Sequence, residues 1–253
     1  MDPVHVLWIG GATGAGKTSI SRALAYRYDL QLYNVDHRTF DHVSRVRVPP
    51  DLNWDLPPPV LADRFVEYSR NRFELVLEDL AALPASPGAI ADGPFLLPSL
   101  VPAGGAAVFL VPGEERIRAT GAERGQREVV VERNLVLAER IASAAETAGL
   151  PVLPVDRGLE EMTERVEALL APAVAGLPRG GDLAAVRRFE NDVLAEQVRL
   201  YRASGEAPPG SPPLLFACEC GRSGCAEEIE LTLEDYLRVS AGADRSPLRR
   251  PRS

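Results

Sequence analysis

Lysine is almost missing from this chain. Of 253 residues, 28 are Lys or Arg, and all but Lys17 of those are Arg. A guanine-reading Asn-Lys-x-Asp loop needs a lysine of its own, and no second one exists, so GTPase-type recognition is excluded. Basic excess is missing too: 36 acidic residues leave a net charge of -8, which argues against a broad basic face for DNA or RNA. No nucleic-acid partner is expected; a small-molecule acceptor is. Long apolar runs are also lacking near the start. Residues 1–9 have no basic flank and only a short, strand-like apolar stretch, so neither a secretion signal nor a membrane span is read there, and a cytoplasmic location is expected. Cysteine is scarce and crowded. Cys218, Cys220 and Cys225 fall within eight residues, an odd and clustered set unlike a secreted disulfide framework, and a reducing compartment agrees with that.

What is present suits a folded domain. Hydrophobic residues make up 45% and charged residues 25%, and the length allows one medium α/β domain with a small appendage. Short β-rich runs at 4–9, 30–35, 89–91, 106–111 and 152–155 alternate with helical patterns at 17–28, 60–83, 130–148 and 160–170. That alternation predicts an α/β fold with a doubly wound, mostly parallel five-stranded sheet, whose ligands sit beyond the carboxyl ends of the strands. Pro and Gly at 171–182 predict a linker, giving a first domain over 1–178 and a second unit over 179–253. The second unit is expected to contain a helix over 182–202, a Pro-rich break at 207–213, the cysteines, a short helix at 234–240 and a basic tail at 246–253.

The chemistry begins at 10–19, GGATGAGKTS. Gly11, Gly16, Lys17 and Thr18 fit G-x-x-x-x-G-K-[ST] after a predicted strand and before a predicted helix. Glycines let backbone N–H groups turn inward as an anion nest at a helix N-terminus. The segment Gly11, Ala12, Thr13, Gly14, Ala15, Gly16, Lys17, Thr18 and Ser19 is therefore expected to hold the phosphates of ATP, with Lys17 on the β/γ-phosphates and Thr18 on Mg²⁺. The one lysine left in an Arg-rich chain stands where a compact point charge must meet phosphate oxygens. Asp92, in GAIADGPF, is the candidate magnesium-side acid, directly or through water. Gly93 follows it, not the glutamate with which motor ATPases activate water, which favours transfer to an acceptor over hydrolysis.

Asp36, directly after the second predicted strand, should face the same cleft, where a carboxylate can take a hydroxyl proton; the bland reading is a helix cap. A phosphate loop with GKT, an Asp after strand two and an Asp at the end of strand three resemble the P-loop small-molecule kinases: chloramphenicol phosphotransferase, shikimate kinase and gluconate kinase. The resemblance spans 4–171. It implies that Asp36 activates the acceptor and Arg38 clamps it, and that Asp92 serves a magnesium-bound water or the acceptor. It also implies a mobile lid over 113–133 whose arginines close on phosphate, with Arg116, Arg124 and Arg127 preferred, and an adenine-side loop ending at Asp156. The Pro-rich stretch 49–59 with Trp54 either roofs the acceptor site or is a rigid surface loop.

The cysteines leave two readings open. Three thiolates within reach of one point suit Zn²⁺, with a carboxylate, water or partner as fourth ligand; otherwise they are reduced or redox-responsive thiols. The segment FACECGRSGC resembles a small cysteine module of actinobacterial proteins that continues to a later Gly-His pair, which this chain does not contain. Taken together, the expected activity is ATP-dependent phosphate transfer to a hydroxyl of a small molecule. The alternative is a non-enzymatic ATP-binding regulator carrying a thiol or zinc module.

Overall fold

The apolar run that opens the chain forms β1, Val6–Gly11, and its alternation sorts two core layers. Val6 and Trp8 pack with Tyr33, Leu80 and Phe109, whereas Leu7 and Ile9 pack with Leu24, Ile90 and Val166. Successive strand side chains leave on opposite faces, so a strand that is apolar throughout must be covered twice. The helices α1, Lys17–Arg27, and α6, Leu159–Gly176, cover one face. The other is covered by α3, Pro58–Ala82, and α5, Glu128–Thr147; the short helices α2, Thr39–Arg45, and α4, Glu114–Glu123, lie at the strand ends.

With β2 (Gln31–Asn34), β3 (Ala89–Asp92), β4 (Ala106–Pro112) and β5 (Val152–Val155), the sheet has five parallel strands in the order β2-β3-β1-β4-β5. The expected doubly wound sheet is the one observed. Two strands lie to each side of β1, so the winding reverses there and a crevice opens beyond its carboxyl end. Register aligns the tips of the strands: Asp92 pairs with Ile9 on one side and Asn34 on the other, so three strand ends sit side by side.

The structure is a computed structural model that describes residues 2, 5–46, 53–205, 207, 210, 212–241 and 247–249. The first residue expected in strand one, the stretch 49–52, part of the break at 207–213 and most of the tail at 246–253 lie outside the described residues. Two expectations need correction. Strand two ends at Asn34, because a 3-10 turn, Val35–Arg38, begins there and Asn34 Oδ1 accepts the His37 amide at 3.1 Å. The linker expected at 171–182 is helical to Gly176; α6 runs through Pro172 because Val174 stays buried against the core. The segment 113–133, expected to form a lid, consists of α4, a turn and the first part of α5.

Beyond α6 come α7 (Leu183–Ala203), an antiparallel hairpin of β6 (Leu214–Ala217) and β7 (Glu228–Leu231), and α8 (Leu233–Ser240). Asp182 caps α7 by accepting the Ala185 amide. This unit docks along the β2 edge. Buried Arg187 donates to the carbonyls of Ala25 and Leu30 and to Glu190, whose carboxylate accepts the Leu32 amide at 2.7 Å. The exposed side of β2 is thereby covered, and edge pairing with another chain is blocked. Phe216 and Tyr236 stack at 4.1 Å in the unit's own small core.

Candidate active site

The phosphate loop owes its shape to glycines at positive φ. Gly11 (φ 125°) ends β1, and a Cβ there would stand 2.1 Å from the Leu110 carbonyl oxygen. Gly16 (φ 76°) takes the left-handed conformation that opens α1. Lys17 is buried and donates from Nζ to the Ala12 carbonyl at 2.7 Å, across the loop. Burial pulls its pKa down to about 8, although Asp36 and Asp92 pull it back up. Arg116 of α4 donates from Nε to the Gly14 carbonyl at 3.1 Å, which holds α4 over the loop.

A cavity of about 300 Å³ lies on the loop, lined by residues 13–19, Asp36, Pro94, Arg116, Thr120 and Arg124. At its floor, Thr18 Oγ1 donates to Asp92 Oδ2 at 2.9 Å, and Asn34 Nδ2 reaches both Asp92 oxygens at 3.1 and 3.2 Å. Asp92 is fully buried, and burial raises its pKa to about 7; Asp36 pushes in the same direction while Thr18, Lys17 and Asn34 oppose. Asp36 is exposed to the cleft, yet the walls around it strip enough water to hold its carboxyl above the ordinary range, against the pull of Lys17 and Arg72.

A second cavity, of about 310 Å³, adjoins the first and shares Thr13 and Pro94 with it. Its walls are mostly apolar and aromatic: Leu61, Phe65, Tyr68 and Phe95, with Trp54 and Val43. Phe65 stacks on Phe95 at 4.9 Å, and Arg133 lies over Trp54 and Phe65. Behind this wall, fully buried Arg72 stacks on Phe95 at 4.3 Å and donates to Thr39 Oγ1, to the Val35 carbonyl and to His42 Nδ1. Because a guanidinium only donates, His42 Nδ1 must accept, leaving Nε2–H to donate to Asp79 at 3.0 Å. Burial lowers the His42 pKa, in keeping with that neutral ring.

The structure thus brings Thr13 to Ser19, Asp36, Arg116 and Arg124 to one cavity, with Asp92 beneath Thr18. Other candidate residues lie elsewhere. Gly11 and Ala12 are buried under the loop, not on the cavity wall. Arg127 is exposed and pairs with Asp55 at 3.3 Å. Asp156 is exposed and pairs with Arg165 at 2.9 Å. Arg38 turns toward α7, 3.6 Å from Asp79 and beneath Phe189. Sequence reasoning missed Asn34, which ties Thr18 to Asp92, and the aromatic wall. Phe95 lies in the DGPF run, and Phe65 and Tyr68 fall within the helical pattern at 60–83, where no local motif marks them as site residues.

The donor set below the cavity also fits magnesium. A threonine hydroxyl and a carboxylate meet beside the phosphate loop, and hard oxygen donors are what Mg²⁺ takes.

No protein-family model and no curated protein matches this sequence. Among solved structures, the chain is similar to shikimate kinase from Acinetobacter baumannii in complex with shikimate: 16% identity, 66% of this chain and 93% of that one, TM-score 0.46. It is similar to shikimate kinase from Aquifex aeolicus at 14% identity over 68% of this chain and 99% of that one, TM-score 0.43. A gluconokinase from Sinorhizobium meliloti 1021 shares 16% identity over 68% of this chain and 94% of that one, TM-score 0.37. These are likenesses of outline, and they carry nothing about substrate.

Proposed function

We propose that this chain is an ATP-dependent phosphotransferase that passes the γ-phosphoryl group to a hydroxyl of a small molecule with an apolar, ring-bearing body. One observation carries the reading: Asp36 lies on the wall of the phosphate-loop cavity, and an aromatic cavity of about 310 Å³ opens from the same place through Thr13 and Pro94. Donor phosphates on the loop and an acceptor among Phe65, Tyr68 and Phe95 would meet near Asp36.

In this reading the acceptor oxygen attacks the γ-phosphorus, the bond to the ADP oxygen breaks, and the hydroxyl proton passes to Asp36. Proton acceptance suits a carboxylate held above its ordinary pKa. Lys17, Arg116 and Arg124 neutralise charge on the transferring phosphoryl group, where positioning and electrostatics dominate. Negative phosphate beside Lys17 favours its ammonium form, reversing the effect of burial. Thr18 and Asp92 would hold Mg²⁺, directly or through water, and the ion supplies charge neutralisation and orientation at the phosphates. Asp92 must give up its proton to do so.

The test pairs a phosphate-transfer screen over ring-bearing alcohols with Asp36→Asn. The variant is expected to bind ATP as wild type does and to lose about 10²-fold or more of transfer. Full transfer by Asp36→Asn would remove the base assignment. ATP binding without transfer to any acceptor would instead support a nucleotide-dependent regulator.

A further inference from the structure

The cysteines do not line the cavity on the phosphate loop and play no part in the proposed transfer. Their sulfur atoms nevertheless converge: Cys218, Cys220 and Cys225 present Sγ atoms within 4.8 Å of one another. A tetrahedral zinc with Zn–S bonds of about 2.3 Å places its sulfurs roughly 3.8 Å apart, so only small side-chain adjustments separate the three from a coordinating arrangement.

The backbone holds them there. Cys218 follows β6, and its amide donates to the Glu227 carbonyl at 2.9 Å, one step beyond the Ala217–Glu228 register of the hairpin. The connecting loop then turns twice at left-handed glycines, Gly221 (φ 70°) and Gly224 (φ 67°), which swing Cys225 back toward the other two. The Cys225 amide closes that turn on the Arg222 carbonyl at 3.3 Å. Outside the loop, Asp29 accepts Ser223 Oγ at 2.5 Å and the Gly224 amide at 2.9 Å, pinning it to the turn after α1.

Charge and access also fit. Arg222 donates from Nε to Cys220 Sγ at 3.4 Å, an N–H···S contact that supports a thiolate. None of the three cysteines is disulfide-bonded, and a disulfide would use only two of three convergent sulfurs. Cys218 is buried while Cys220 and Cys225 are half-buried, so the open side of the cluster faces solvent. Glu219, beside Cys218, is fully buried and spends its oxygens on Asn191, Arg188 and the Leu248 amide, which removes it as a ligand.

The geometry points to a zinc site in which Cys218, Cys220 and Cys225 supply three thiolates and water or another exogenous donor takes the fourth position. Soft thiolates select zinc over hard cations, and three sulfurs with one open position are a tetrahedral set. Binding takes all three sulfurs as thiolates, releasing the protons they still carry, and leaves a site of net charge -1 beside Arg222, which also lies 3.6 Å from Glu227. Zinc would lock the loop that grips Asp29, and with it the seam between the hairpin and α1.

The test uses the full chain, stripped of metal by a chelator under reducing conditions and titrated with Co²⁺. The expected result is a thiolate-to-cobalt charge-transfer band that saturates at about one equivalent and disappears when Zn²⁺ is added. Cys220→Ser and Cys225→Ser, chosen because neither cysteine is fully buried, should each weaken cobalt binding by more than about tenfold while far-ultraviolet circular dichroism stays as in wild type. The proposal is overturned if reduced wild-type protein gives no such band, or if both serine variants titrate as wild type does. It is also overturned if the chain purifies with two of these cysteines oxidised to a disulfide and, once reduced, still takes up no cobalt.

Discussion

Asp92 gives the sharpest quantitative test, because its carboxyl is buried at the floor of the cavity on the glycine loop with its pKa raised from 3.8 to about 7. An acid raised in the folded state contributes stability that is complete below its unfolded pKa and is lost as pH rises through its folded pKa. Between those values the folded chain keeps a proton that the unfolded chain has released. At about 1.4 kcal/mol per pH unit, the interval is worth roughly 4 kcal/mol. The wild-type curve alone would hide this. His37, held down from 6.5 to about 4 by burial, acts with the opposite sign, since the unfolded chain takes up a proton there that the folded one refuses. Comparison with Asp92→Asn isolates the carboxyl: the amide is close in size, can still accept from Thr18, and does not ionise. Urea unfolding of nucleotide-free protein from pH 4 to 8 should show the variant gaining on wild type by roughly 4 kcal/mol across the range and then levelling off. Adding Asp36→Asn to both backgrounds should shrink that gain, because Asp36 is one cause of the raised pKa. A stability difference that is flat with pH would refute the reasoning, since it would mean that Asp92 ionises in the fold as readily as in the unfolded chain.

Buried polar groups elsewhere in the fold set two stability tests. Arg72→Met leaves the Val35 carbonyl, Thr39 Oγ1 and His42 Nδ1 without their donor, and should cost about 2–5 kcal/mol in urea unfolding, with His42 titrating at higher pH by NMR once the neighbouring cation is gone. Asn191 is buried and bridges α7 to the hairpin, accepting the Ala217 amide at 2.7 Å and donating to the Ala217 carbonyl at 2.9 Å; Asn191→Ala should cost roughly 2–4 kcal/mol and speed amide exchange in β6.

Features that depend on near neighbours along the chain are legible in the sequence. Alternating β and helical runs specify a doubly wound sheet, and G-x-x-x-x-G-K-T places a positive-φ loop at a helix N-terminus, because each pattern acts within a turn or two of backbone. Strand five, 152–155, was legible to the residue for that reason. Which residues share a cavity depends on how distant segments pack. Asn34, Thr18 and Asp92 meet because β2, β1 and β3 are neighbours in the sheet, and no local spacing encodes that order. The aromatic wall joins side chains from α3 and the loop after β3, which hydrophobic periodicity reads only as core. Arg38, two residues from Asp36, turns the other way because a 3-10 turn, not an extended strand, carries both. Electrostatics was likewise a tertiary matter: a buried carboxylate and an exposed one are the same letter, and only packing separates Asp92 from Asp156. The cysteines belong to both levels, with their crowding visible in FACECGRSGC and their convergence supplied by a hairpin and two left-handed glycines.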